Sequence, residues 1–167
     1  MMMALKDAWR YIDLDQRCMQ KLFPKHFNVR SKLRAFVTSP SIRAAFWMRV
    51  AARGGIAGRF AREQLIHAYS CDVSAGLEIR GGIYLPHPVG IVLGQGVVIE
   101  DGVSVYQGVT IGGSRSGRYP HVQDGVVIYP GAVIAGGITV GARAVIGAGI
   151  FVDSDVPAGR TVRASSR

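Results

Sequence analysis

Cysteine is nearly missing. Cys18 and Cys71 are the only two in 167 residues, and their spacing forms no pattern. That excludes a disulfide framework and points to a reduced, cytoplasmic chain. Long apolar runs are missing too. A bilayer-spanning helix needs roughly 20 apolar residues, and the best candidate, Ile42 to Ala52, is interrupted by arginines. Met1 to Asp15 carries Asp7, Asp13 and Asp15 and has no apolar centre, so it does not read as a signal peptide. No Cys/His finger, aromatic ribonucleoprotein box or basic zipper occurs, so no nucleic-acid partner is expected.

Acid is scarce in one place only. Residues 1–70 carry 13 Lys and Arg against 4 Asp and Glu, whereas residues 71–167 carry 7 of each. The basic segment could meet an anionic membrane surface peripherally or an acidic partner, and the plain alternative is a solvated helical face. It reads as helical: a first helix over residues 4–22 ends near Pro24. A second starts at Ser39 as N-cap with Pro40 at the first position and runs to about Arg53, and a third spans 57–68. Arg49 and Arg53 share a face with Ile42, so the second helix is poorly amphipathic.

Composition changes at Ser70-Cys71. Of 22 glycines, 19 lie from Gly76 onward, alternating with Val and Ile. Aliphatic residues recur every sixth position: Val73, Ile79, Leu85, then Leu93, Ile99, Val105, Ile111, then Val122, Ile128, Ile134, Val140, Ile146, Val152. A helix needs a period near 3.6 and a simple strand a period of 2. A period of six belongs to a parallel β-helix, in which three hexads make one triangular coil. Residues 71–167 are therefore expected to form a mostly β solenoid of about four coils behind a small helical segment, 1–70.

The rhythm breaks twice. The step from Leu85 to Leu93 is eight, and the extra residues fall within Pro86-His87-Pro88-Val89-Gly90. The step from Ile111 to Val122 is eleven, across a polar, basic, Gly-rich stretch at 112–121 that reads as a loop thrown out of the prism. Insertions in solenoids map to loops, often on the binding face. Imidazole suits a general base near neutral pH, and a carboxylate on its second nitrogen would fix the tautomer. His87 is thus the candidate base and Asp72 its orienting partner.

Residues 72–157 resemble the serine acetyltransferase family of hexapeptide-repeat acyltransferases. Asp72 and His87 stand where that family has its catalytic Asp and His. His87-Pro-Val-Gly-Ile-Val-Leu-Gly94, Val105-Tyr-Gln-Gly-Val-Thr-Ile-Gly-Gly113, Gly147-Ala-Gly149 and Asp155-Val-Pro157 are similar to its motifs. The resemblance implies a left-handed parallel β-helix, an acetyl-CoA-dependent O-acetyltransferase without a metal, and homotrimers or dimers of trimers with sites between neighbouring prisms. Arg118 matches a family Arg, and Arg118, Tyr119, His121 and Gln107 are the candidate substrate contacts. Contacts to acetyl-CoA would come from Gly112, Gly113, Arg115, Ala132, Gly137, Ala148 and Arg143.

The chain departs from the family where the acceptor is held. Pro86 replaces the Asp before the catalytic His, and Arg118-Tyr119-Pro120 replaces Arg-His-Pro, with His121 as a possible stand-in. Gln95 replaces the Glu of a Gly-Glu turn, no Asp-Pro motif occurs in residues 1–40, and no Gly-Val-Pro-Ala segment follows Thr161. An unpaired ammonium in a closed site is costly, so a saccharide hydroxyl is the expected acceptor. Serine or a related small-molecule hydroxy amino acid is the alternative, and a non-catalytic scaffold is more remote. A zinc hydratase on this fold needs about three histidines, and only His87 and His121 lie in the repeats, with His67 just outside.

Overall fold

The computed structural model describes residues 2–22, 31–113 and 117–164, with side chains from residue 5 onward. Four helices come first: α1 (Met2–Leu22), α2 (Lys32–Thr38), α3 (Pro40–Ala52) and α4 (Gly55–Tyr69). Ser39 caps α3, its hydroxyl accepting from the Ile42 N–H at 3.4 Å, with Pro40 at the first turn. Helix α2 was not expected, because seven residues are too few to show a helical period. Ser31 nonetheless caps it through the Arg34 N–H.

The weak amphipathicity of α3 has a simple cause: the helix is buried nearly all round, from Ser41 through Ala51. Arg49 lies inside with it, 6% exposed, and grips Asp15 of α1 through two bonds of 2.7 and 2.8 Å. Arg49 is therefore not part of a solvated basic face.

Short strands follow: β1 (Asp72–Val73), β2 (Glu78–Ile79), β3 (Ile83–Tyr84), β4 (Val92–Leu93), β5 (Val98–Ile99), β6 (Val103–Val105) and β7 (Thr110–Gly112). Then come β8 (His121–Val122), β9 (Val127–Ile128), β10 (Val133–Ala135), β11 (Thr139–Val140), β12 (Val145–Ile146), β13 (Phe151–Val152) and β14 (Thr161–Val162). They stack as three parallel sheets, β1-β4-β7-β10-β13, β2-β5-β8-β11 and β3-β6-β9-β12-β14, the first, second and third faces of a prism.

All thirteen period-six aliphatics are no more than 8% exposed. Each contributes roughly 1.5–3 kcal/mol by leaving water. A second inward set precedes most of them by two positions: Cys71, Leu77, Ile83, Ile91, Val97, Val103, Val109, Val126, Ala132, Ile138 and Ala144 are also buried. Between these pairs the alternation of a strand turns one side chain out of the prism.

The helices cover the first coil. Its outer N–H groups would otherwise form an open sheet edge. Asp15 accepts from the Ile83 N–H at 2.9 Å, Ser41 from the Leu85 N–H at 3.1 Å, and the Ala52 carbonyl from the Gly76 N–H at 2.9 Å. Among the described residues, no helix is long and apolar enough to cross a membrane.

Candidate active site

Strand register locates both interruptions. Val92 pairs with Thr110 in the ordinary step of eighteen, but Asp72 pairs with Val92 and Tyr84 with Ser104 in steps of twenty. The two extra residues therefore lie between Tyr84 and Val92, at the corner leading from the third face to the first. His87 stands exposed there. The turn is tied to the strand that carries Asp72: Gly90 N–H donates to the Tyr69 carbonyl at 3.0 Å, and the buried Cys71 thiol to the Pro88 carbonyl at 3.5 Å.

Asp72 points out of the first face, between inward Cys71 and Val73. Its carboxylate does not bond His87. Arg62 of α4 holds both oxygens, Nε to Oδ1 at 2.5 Å and Nη2 to Oδ2 at 2.8 Å. That hydrogen-bonded guanidinium holds the Asp72 carboxyl below its usual range. Arg62 gave no signal in the sequence, because nothing in an exposed helical arginine announces a partner ten residues away.

Below His87 on the same corner lie Gln107 and, two coils further, Ala148, which is exposed. Backbone bonds of Gly108 to Val89, Gly131 to Gln107 and Gly149 to Pro130 align these turns. Gln107 Oε1 is buried without a hydrogen-bond partner among the described residues. Tyr106 and Tyr129, at the places equivalent to Pro86, stack with centroids 5.2 Å apart.

The second interruption leaves the opposite edge of the first face, since Val98 pairs with His121 twenty-three residues on. Arg115 lies outside the described residues. The Tyr119 ring packs over two glycines: a Cβ would meet it at 2.5 Å on Gly96 and 2.6 Å on Gly113. A Cβ on Gly137 would meet Arg118. Gly113 and Gly137 therefore make room for the loop's own side chains, while the space at Gly112 is open.

Three further candidates take these places. Ala132 is a core residue at 0% exposure, inward two positions before Ile134. Its carbonyl accepts from the Thr110 N–H, and its own N–H donates to Tyr129. Arg143 sits at the third corner, away from both insertions, at φ +59°. His121 faces outward on the second face, 2.9 Å from Glu100, so it does not stand in beside Tyr119. Among the described residues no group of three or more His, Cys, Asp or Glu could hold a metal.

The chain is similar to known serine acetyltransferases. A serine acetyltransferase of Salmonella typhimurium is 39% identical over 128 residues, 75% of this chain and 46% of that protein. A solved serine acetyltransferase in complex with CoA superposes with a TM-score of 0.78 at 30% identity, over 93% of this chain and 70% of that one. The chain belongs to the serine acetyltransferase-type hexapeptide-repeat family. The prism is accordingly the left-handed parallel β-helix of that family. The Neisseria gonorrhoeae serine acetyltransferase in complex with serine gives a TM-score of 0.80 at 28% identity, covering 96% of this chain and 68% of that one. No family model matches the chain. The chain spans about half the length of the curated relatives, 46% for the Salmonella protein.

Proposed function

We propose that the chain is an acetyl-CoA-dependent O-acetyltransferase acting on serine or a related hydroxy amino acid. The observation that carries the reading is His87 on a two-residue bulge, laced to the strand of Asp72, in a member of this family. The relatives' names and the serine complex support a hydroxy amino acid over the saccharide expected from Pro86 and Tyr119, and the CoA complex supports the donor.

In this reading His87 takes the acceptor's hydroxyl proton as its oxygen attacks the thioester carbonyl. The tetrahedral intermediate collapses, the carbon–sulfur bond breaks, and the imidazolium returns the proton to the CoA thiolate. Gln107, one coil below on the same corner, is the proposed substrate contact beside the base. His87 and the Arg118-Tyr119 loop occupy opposite edges of one face. A neighbouring prism bringing its loop to this corner would unite them, which supports a trimeric assembly.

The test is thiol release from acetyl-CoA by purified protein with L-serine, homoserine and sugar acceptors. Turnover with serine, lost in His87→Ala, is expected. Turnover with sugars alone would refute the acceptor, and an undiminished His87→Ala rate would refute the base.

A further inference from the structure

We propose that Arg62 is a positioning residue for the transfer reaction: its fork fixes the orientation of Asp72 beside the His87 turn and offsets part of the carboxylate's charge. The inference rests on the function read above and deepens it.

The grip comes from a fixed platform. Helix α4 lies close on α3 at Gly58, where a Cβ would meet the Ala51 carbonyl at 3.0 Å. Its far end is closed by Ser70 at φ +52°, and the Cys71 N–H bonds Leu65 at 3.1 Å. Arg62 sits between these anchors, and Asp72 directly follows the second. Two donors in a planar fork select one orientation of the carboxylate, which a lone lysine contact would not.

The pairing leaves Asp72 able to act on His87. A carboxylate has about four acceptor positions, and Arg62 uses two of them. The His87 turn lies within reach in chain terms, because Cys71 and Pro88, the immediate neighbours of Asp72 and His87, are themselves bonded at 3.5 Å. A ring N–H of His87 can therefore take a remaining lone pair. The other charges on α4 are Arg59, Glu63 and His67, the last two paired with each other at 3.5 Å.

The electrostatic consequence has a sign. A carboxylate beside an imidazole stabilises its protonated form, and a guanidinium paired with that carboxylate weakens the effect. Both side chains of the pair are about half exposed, 50% and 42%, so solvent screening moderates the effect.

The experiment compares Arg62→Ala, Arg62→Lys and Asp72→Asn in the full chain, by kcat/KM against pH with L-serine and by NMR titration of the His87 ring. Arg62→Ala should move the acidic limb and the ring titration to higher pH by roughly half a unit. Its kcat/KM at pH 7 should fall by up to about threefold and recover above pH 8. Arg62→Lys should return the limb toward wild type without restoring the full rate. In an Asp72→Asn background, removing Arg62 should move the titration less. An unmoved ring titration in Arg62→Ala overturns the proposal, as does an equal shift with and without Asp72. The NMR readout needs no turnover, so it decides on Arg62 even if the chain transfers no acetyl group to serine.

Discussion

The Cys71 thiol donates to the Pro88 carbonyl at 3.5 Å and accepts from the Ile91 N–H at 3.4 Å. One buried sulfur thus laces the His87 turn to the strand of Asp72. Burial pushes this thiol up from its ordinary value, and burial pushes Cys18 up to about 11. Thiolate is the reactive species. Neither cysteine should therefore react with a disulfide reagent at pH 7.5 in the folded protein, and both should react after unfolding in guanidinium. Fast labelling of the native chain would contradict the burial.

Asp15 and Arg49 form a buried pair that also supplies acceptor and donor to Ile83 and Gly81 at the edge of the first coil. Asp15→Ala leaves Arg49 uncompensated and the Ile83 N–H unpaired. It should cost about 3–5 kcal/mol, measured by urea unfolding. A loss below about 1 kcal/mol would place the pair among ordinary surface bridges.

Gly96 lies at φ +71° beneath the Tyr119 ring. Gly96→Ala adds backbone strain of about 1–3 kcal/mol and pushes the ring off its seat. The expected result is faster tryptic cleavage at the exposed Arg118, with the far-UV circular dichroism unchanged. Unaltered proteolysis would show that the loop is held elsewhere.

Glu100 is held below its ordinary value near 4.5, first by the hydrogen bond with His121 and then by Arg80. A depressed carboxylate contributes stability above its unfolded pKa and loses it as pH falls through the lower folded value. Wild type should thus exceed Glu100→Gln in thermal stability at pH 6, by under about 1 kcal/mol for so accessible a group. The gap should close as the pH falls below 4.5 through the lower folded value. A gap that widens on acidification would reverse the assignment.

Much of the architecture was legible in residue spacing. Thirteen aliphatics at period six marked the inward positions, and the two broken steps marked where the chain bulges. The N-cap at Ser39 was equally plain. The second inward set keeps the same period two residues earlier, but it mixes Cys, Ala, Leu, Val and Ile, so the core position of Ala132 does not stand out in the sequence. In the site, spacing placed His87 on a bulge and Asp72 on the strand above it. It could not show that Tyr119 and Arg118 fill the space left by Gly113, Gly96 and Gly137.

The sequence by itself determined the coil, its corners and the exposed position of His87. Each depends only on residues eighteen to twenty-three apart meeting in adjacent turns. The tertiary structure decided which charges meet. Arg49 belongs inside with Asp15, and Arg62 belongs to Asp72, because the docking of α1, α3 and α4 on the first coil brings them there. That docking also pairs several cations of residues 1–70 within the fold. A repeat carries its own register from coil to coil, whereas an ion pair between elements has no period to read.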